Sequence, residues 1–209
     1  MESIYIKTFF IISIILFLVG FFWPLIIVKK SGKDPHGTHE GASILTRLSS
    51  VSIFLWLGFI IFFLFFNKIL ESLWRFDFIS NDCLVLIGMI TIAIGFIFEV
   101  LGILALGINF RIELPTDETE LITSGIYRIM RNPIVFGIFV LVIGTFFIIP
   151  TAITLLIGIF NIITFNSKAI DEERYLLSKF GKKYRDYRNS VGRYLPFRIS
   201  KKLEKIFLN

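Results

Sequence analysis

The chain has 209 residues, a hydrophobic fraction of 55% and a mean hydropathy of +0.78. No soluble core of that length can receive 25 phenylalanines and the long Ile/Leu/Val runs, so a soluble globular fold is excluded and lipid is the natural solvent. The net charge of +6 is unevenly placed, and the lone Cys83 excludes an internal disulfide.

Ile4 to Val28 is a long apolar run that ends in Trp23-Pro24 and is followed by Lys29-Lys30, the pattern of a spanning helix with an aromatic and basic anchor. It reads as a retained helix, because a cleaved signal would begin with basic residues and end at small ones. Lys29 to Arg47 is polar and carries Gly32, Pro35, Gly37 and Gly41, which predicts a loop. His36 and His39 lie there beside Asp34 and Glu40. Gly37 and Pro35 break the helical face that would align two imidazoles, so no metal site is predicted.

Leu48 to Phe66 forms a second span, and Asn67 to Asp82 reads as a short amphipathic piece at the interface. The third span runs from about Cys83, read as a small apolar residue at a helix start, to Ile108. It carries Gly88, Gly95, Gly102 and Gly107 at near-heptad spacing, which permits close helix packing in lipid. Glu99 is expensive in such a helix and predicts a facing partner or polar cavity, making it a substrate-binding candidate.

The polar stretch Leu121 to Gly137 organises the rest. Thr123 or Ser124 can cap a short helix, Gly125 lets the backbone turn, and Pro133 suits the first turn of the next helix, so Arg128 and Arg131 stand where a membrane helix begins. Ile134 to Ile149 and Thr151 to Phe165, broken only by Pro150, predict a tight hairpin of short spans. Lys168 to Arg188 then reads as an amphipathic helix against the membrane face, with a break at Gly181. The expected fold is therefore an all-α integral membrane bundle of about five transmembrane helices in one domain, 1–209, with a C-terminal amphipathic cytosolic helix. With the N-terminus outside, 19 of the 22 lysines and arginines fall on the inner side and only Lys7, Lys68 and Arg75 outside it. The polar stretch and the tail then share the cytoplasmic face.

Ser124-Gly-Ile-Tyr-Arg-Ile-Met-Arg-Asn-Pro133, a hydrophobic hairpin, Glu172-Glu173, Phe180-Gly181, Tyr184, Tyr187 and Arg193-Tyr-Leu-Pro196 form an ordered series. It resembles the isoprenylcysteine carboxyl methyltransferase and phospholipid methyltransferase family over roughly Leu106 to Phe197. The resemblance implies a membrane-bound methyltransferase that uses S-adenosylmethionine at the cytosolic face. By position, Tyr127, Arg131, Asn132 and Pro133 would line the cofactor site from one side, and Glu172, Glu173, Arg193 and Pro196 would close it from the other. A guanidinium such as Arg131 can meet the cofactor carboxylate in a fork, and Glu172 or Glu173 its ammonium. Arg131 and Asn132 are the positioning candidates, since transfer from a sulfonium requires alignment and exclusion of water more than a nucleophile-base pair. The family motif often has histidine and tyrosine where this chain has Asn132 and Val135; Asn132 keeps a positioning role, and Val135 bears on substrate fit.

The implied acceptor is lipophilic and comes from the bilayer: a prenylcysteine-like carboxylate, a lipid amine or a thiol. Membrane lipids are the other expected partners, with no nucleic acid and no metal. Two other readings are a sterol-reductase-like membrane enzyme using NADPH and a non-catalytic scaffold whose basic tail binds anionic lipid. Glu172 and Glu173 also fit the first turn of a helix, where acids favour the dipole.

Overall fold

A computed structural model describes residues 3–37, 42–72, 75–76, 81–112 and 120–196, and these form a helical membrane bundle. Its helices are α1 (Ser3–Lys30), α2 (Ile44–Ser72), α3 (Asp82–Leu106), α4 (Pro133–Ile148), α5 (Ala152–Phe180) and α6 (Lys182–Ser190). Stretches in α1, α2, α3 and α5 are each long and apolar enough to cross a membrane. At 16 residues α4 is about 24 Å long, short of the roughly 30 Å hydrocarbon layer. It is held inside the bundle by its neighbours.

The α3–α4 pair shows what the spaced glycines do. A Cβ at Gly95 would lie 2.8 Å from the Gly137 carbonyl oxygen, and one at Gly88 would lie 2.7 Å from that of Gly144. At Gly102 it would meet Ile134 Cγ1 at 2.6 Å. The two helices therefore run antiparallel in near backbone contact, which only glycine permits, and the gain is dispersion rather than exclusion of water.

Helices α2 and α5 are joined by a polar seam that hydropathy does not reveal. Ser52 Oγ lies 2.8 Å from Thr164 Oγ1, and Asn161 Nδ2 donates to the Ser52 carbonyl at 3.0 Å. Nearer the helix ends, Asp171 Oδ2 accepts from Thr46 Oγ1 at 2.6 Å and from the Ser43 backbone N–H at 2.8 Å. All of these groups would otherwise face lipid or an apolar neighbour unpaired. Replacing Asp171 with alanine removes the acceptor of the Ser43 N–H and the shortest bond of Thr46 Oγ1, and is expected to cost about 1–3 kcal/mol. A fall in detergent melting temperature without loss of helical circular dichroism at low temperature would show it.

Several boundaries depart from the sequence reading. The second helix begins at Ile44 and runs to Ser72, with a kink at Phe66 (φ −124°, ψ 30°) where the span was expected to end. The fifth span does not stop at Phe165: α5 continues unbroken to Phe180, and the chain turns at Gly181 (φ 50°). Lys, Glu and Arg are good helix formers, so the change from apolar to charged residues marks where the helix leaves lipid and not where it ends. Glu172 and Glu173 thus lie deep within a helix, and the first-turn dipole account of them fails. In the first loop, Asp34 Oδ1 accepts from the His36 backbone N–H at 3.0 Å, a local turn; His39 and Glu40 lie outside the described residues, as do 73–74 and 77–80 of the expected interfacial piece.

Candidate active site

The polar stretch folds as the sequence suggests, with one change of detail. Gly125 (φ 59°) starts a 3-10 turn, Gly125–Arg128, but Ser124 at its N-cap makes no side-chain capping bond. Asn132 takes the N-cap position of α4 and Pro133 its first turn. Between them the backbone pairs with the tail: Arg131 N–H donates to the Gly192 carbonyl at 2.9 Å and Asn132 N–H to that of Arg193 at 3.0 Å. The turn at Gly181 sends α6 back over the same loop, where Tyr187 Oη donates to the Tyr127 carbonyl at 2.6 Å. Loop and tail are therefore one structure.

Glu173 is the centre of it. Its Oε1 accepts from Arg131 Nε at 3.2 Å, Arg131 Nη2 at 3.1 Å, Asn132 Nδ2 at 3.0 Å and Arg193 Nε at 2.9 Å, while Oε2 accepts from Arg193 Nη2 at 2.9 Å. Arg131 Nη1 also donates to the Arg188 carbonyl at 3.0 Å and to that of Val191. The sequence reading set Arg131 toward a ligand carboxylate and Glu172 or Glu173 toward an ammonium; in the structure Arg131 and Glu173 bond to each other. Their opposite charges, with that of Arg193, clamp loop, α5 and tail together. The Arg193 guanidinium is held further above its usual range by its bond to Glu173.

Beneath the clamp lies a cavity of about 310 Å³, within the size range of small-molecule sites. Tyr127, Arg131, Asn132, Glu172 and Glu173 line its polar end, and it continues as an apolar hollow past Phe17 and Phe21 of α1, Ile53 and Phe54 of α2, and Phe96 and Val100 of α3. Glu99 and Val135 are both buried in its wall. Pro133 packs against Gly102, Arg193 stands behind the wall, and Pro196 is exposed; none of the three lines the cavity.

Other lining residues escaped the sequence reading. Arg111 donates from Nη1 to the carbonyls of Phe110 at 2.7 Å and Ile108 at 2.9 Å, and Lys168 Nζ donates to that of Ile112, so both fix the rim segment 108–112. Arg111 sits directly after Asn109-Phe110, a signal that was available. Ser49 has no such signal: its hydroxyl points from α2 into the wall with no hydrogen-bond partner. The Tyr184 hydroxyl, on a side chain 1% exposed, is likewise unpartnered. Burial pushes the phenols of Tyr127, Tyr184 and Tyr187 above their ordinary range, so each remains a neutral donor near pH 7.

A cavity with a charged head and an apolar body, set between helices long enough to span a membrane, marks an integral membrane protein with a hollow interior. The profile of the phospholipid methyltransferase family matches residues 83–183. The protein-S-isoprenylcysteine O-methyltransferase of Dictyostelium discoideum is 34% identical over 114 residues, 53% of this chain and 48% of that one. That of Tribolium castaneum is 32% identical over 150 residues, 68% of this chain and 49% of that one. The solved eukaryotic intramembrane Ras methyltransferase, isoprenylcysteine carboxyl methyltransferase, superposes with a TM-score of 0.51 at 29% identity, covering 72% of this chain and 52% of that one. Over its α3 to α5 region the chain is therefore similar to the phospholipid and isoprenylcysteine methyltransferases, a family of membrane proteins. It spans about half the length of these relatives.

Proposed function

We propose that the chain is an S-adenosylmethionine-dependent methyltransferase acting on a lipophilic acceptor that enters from the bilayer. The observation that carries this is the continuity of the cavity, from a head lined by charged and phenolic groups to a hollow lined by α1, α2 and α3. A polar donor and a greasy acceptor can meet in it without either leaving its preferred surroundings. The relatives named for isoprenylcysteine make a prenylated cysteine the reference acceptor. A lipid amine and a thiol are the other classes.

The donor set fits the cofactor. Glu172 and Glu173 both line the cavity and supply the carboxylates that would receive an ammonium. Lys168 and Arg111 are the cations at the rim for a carboxylate, the Tyr184 hydroxyl lacks a partner that a ligand would supply, and the tyrosine faces suit a sulfonium. When bound, S-adenosylmethionine supplies an already activated methyl carbon. The protein's part is then to hold the two reactants in line and to exclude water, through the packed α3–α4 wall and the lid of α6. The excess of Lys and Arg on the loop and tail side supports a cytoplasmic position for the head of the cavity.

Titrating the purified protein in detergent with S-adenosylmethionine is expected to raise its melting temperature saturably. Tyr184→Phe should weaken binding about fivefold, the value of one hydrogen bond of about 1 kcal/mol, while leaving the ligand-free melting temperature unchanged. A shift produced by NADPH and not by S-adenosylmethionine would favour the reductase reading. A shift produced by neither would favour the scaffold.

A further inference from the structure

The apolar hollow is shallower than the tail of a membrane lipophile is long. Its wall runs from Asn132 to Ile138 on α4 and from Glu172 to Phe165 on α5, a depth of about 9–10 Å measured from the polar head. Half of the hydrocarbon layer is about 15 Å, so a chain reaching from the interface to the mid-plane overruns the hollow. The whole cavity, head included, is about 310 Å³, which is room for one small molecule and not for a cofactor together with a full-length chain.

Among the described residues the inner end is closed. Phe17 of α1 packs edge-to-face on Trp56 of α2 with ring centroids 5.8 Å apart, and Trp56 Nε1 donates to Thr145 Oγ1 of α4 at 3.2 Å. Beside that floor lies a void of about 10 Å³ among Phe10, Ile60 and Ile92, a space of about one water molecule. The side of the hollow is different. Leu16 of α1, Phe54 of α2 and Val100 of α3 all line the cavity and yet are 53%, 62% and 46% exposed, so the wall beside α1 is shared with lipid.

Gly20 belongs to that wall, on the same edge of α1 as Leu16 four residues earlier. A Cβ there would meet nothing within 4 Å, unlike the glycines of the α3–α4 seam, so packing does not call for the missing side chain and glycine weakens the helix. The C-terminal end of α1 reaches the cavity rim, where the Pro35 carbonyl accepts from the Ile112 N–H at 3.1 Å. Gly20 therefore stands about 4.5 Å nearer the polar head than the Phe17 floor.

We propose that the edge of α1 at Gly20 is the lateral mouth of the hollow, through which the acceptor's tail stays in the bilayer while its head is methylated. The proposal rests on the methyltransferase reading above and adds a rule of specificity to it. Only the stretch of chain nearest the head is read by the protein, so the tail has a minimum length and no maximum. Carbons that remain in lipid before and after binding contribute nothing, because lipid and an apolar helix face are equivalent surroundings for them. An enclosed pocket would instead penalise every carbon beyond its floor.

The experiment compares wild type, Gly20→Leu, Gly20→Trp and the control Gly58→Trp in lipid nanodiscs, using N-acetylcysteines that carry S-octyl, S-dodecyl, S-hexadecyl or S-eicosyl tails. Kd is read by competition with a radiolabelled S-dodecyl compound and expressed as mole fraction in the lipid, which removes any dependence on turnover or partition. S-adenosylmethionine Kd is measured alongside. We expect wild-type Kd to stay constant within about twofold from dodecyl to eicosyl. Gly20→Trp should weaken the three longer tails by about tenfold or more relative to octyl, Gly20→Leu by less, with cofactor Kd unchanged. Gly58 is exposed and does not line the cavity, so Gly58→Trp should match wild type. The proposal is overturned by an optimum at one length with a fall beyond it, by Gly20→Trp binding every tail as wild type does, or by no tail binding at all. If the tails bind as expected and S-adenosylmethionine does not, the mouth stands and the methyltransferase reading falls.

Discussion

Glu173→Ala is expected to destabilise the protein by about 3–5 kcal/mol and to abolish ligand binding in the cavity, because it removes one charge from a buried three-way clamp. The Glu173 and Arg131 side chains are 6% and 9% exposed, and the carboxylate is the shared acceptor of both guanidiniums and of Asn132. Without it, buried Arg131 and half-buried Arg193 lose their shared counter-charge and repel each other, and the loop loses its hold on the tail. For a chain of this size the loss corresponds to a fall of roughly 6–20 °C in melting temperature. Arg131→Ala should follow it closely, and the double variant should cost much less than the sum of the two, since the pair acts as a unit. Equal melting temperatures for wild type and Glu173→Ala would show that the backbone pairing of residues 131–132 with 192–193 suffices alone.

Gly137→Leu is expected to have an effect as large, by a different route. Its Cβ would lie 2.7 Å from the Gly95 carbonyl oxygen and 3.0 Å from the Glu99 backbone nitrogen, atoms that cannot move without displacing α3. The helices must part, and the loss should exceed the roughly 1–3 kcal/mol of ordinary overpacking because backbone and not a flexible side chain is in the way. Low yield of monodisperse protein in detergent is the expected readout. Gly58→Ala is the control: a Cβ there meets nothing within 4 Å, and alanine is the better helix former by about 1 kcal/mol, so stability should hold or rise. If both variants purify and melt alike, the glycines are not what sets the α3–α4 distance.

The comparison of Glu173 with Glu172 shows where sequence reading runs out. Both were visible as adjacent acids after a hydrophobic hairpin, and either could have faced the ligand. Adjacent residues on a helix point about 100° apart, so their partners depend on what lies across from each face. Here one face meets Arg131 and Arg193, which come from segments 42 residues before and 20 residues after Glu173.

By itself the sequence determined that the chain lives in lipid and is built of helices, since its apolar runs have no other stable solvent. It also determined where the α3 seam would form, from glycines seven residues apart, and where a polar loop enters α4, from Gly125 and Pro133. These are local or compositional properties, and each acts over a few residues or over the whole bulk. Only the tertiary structure decided that α5 runs unbroken from lipid to the polar face, that α2 and α5 are stitched through Ser52, Asn161, Thr164 and Asp171, and that Arg131 is paired with Glu173. A hydrogen bond or ion pair depends on distances and directions between groups far apart in the chain, and those are fixed only once the helices have packed.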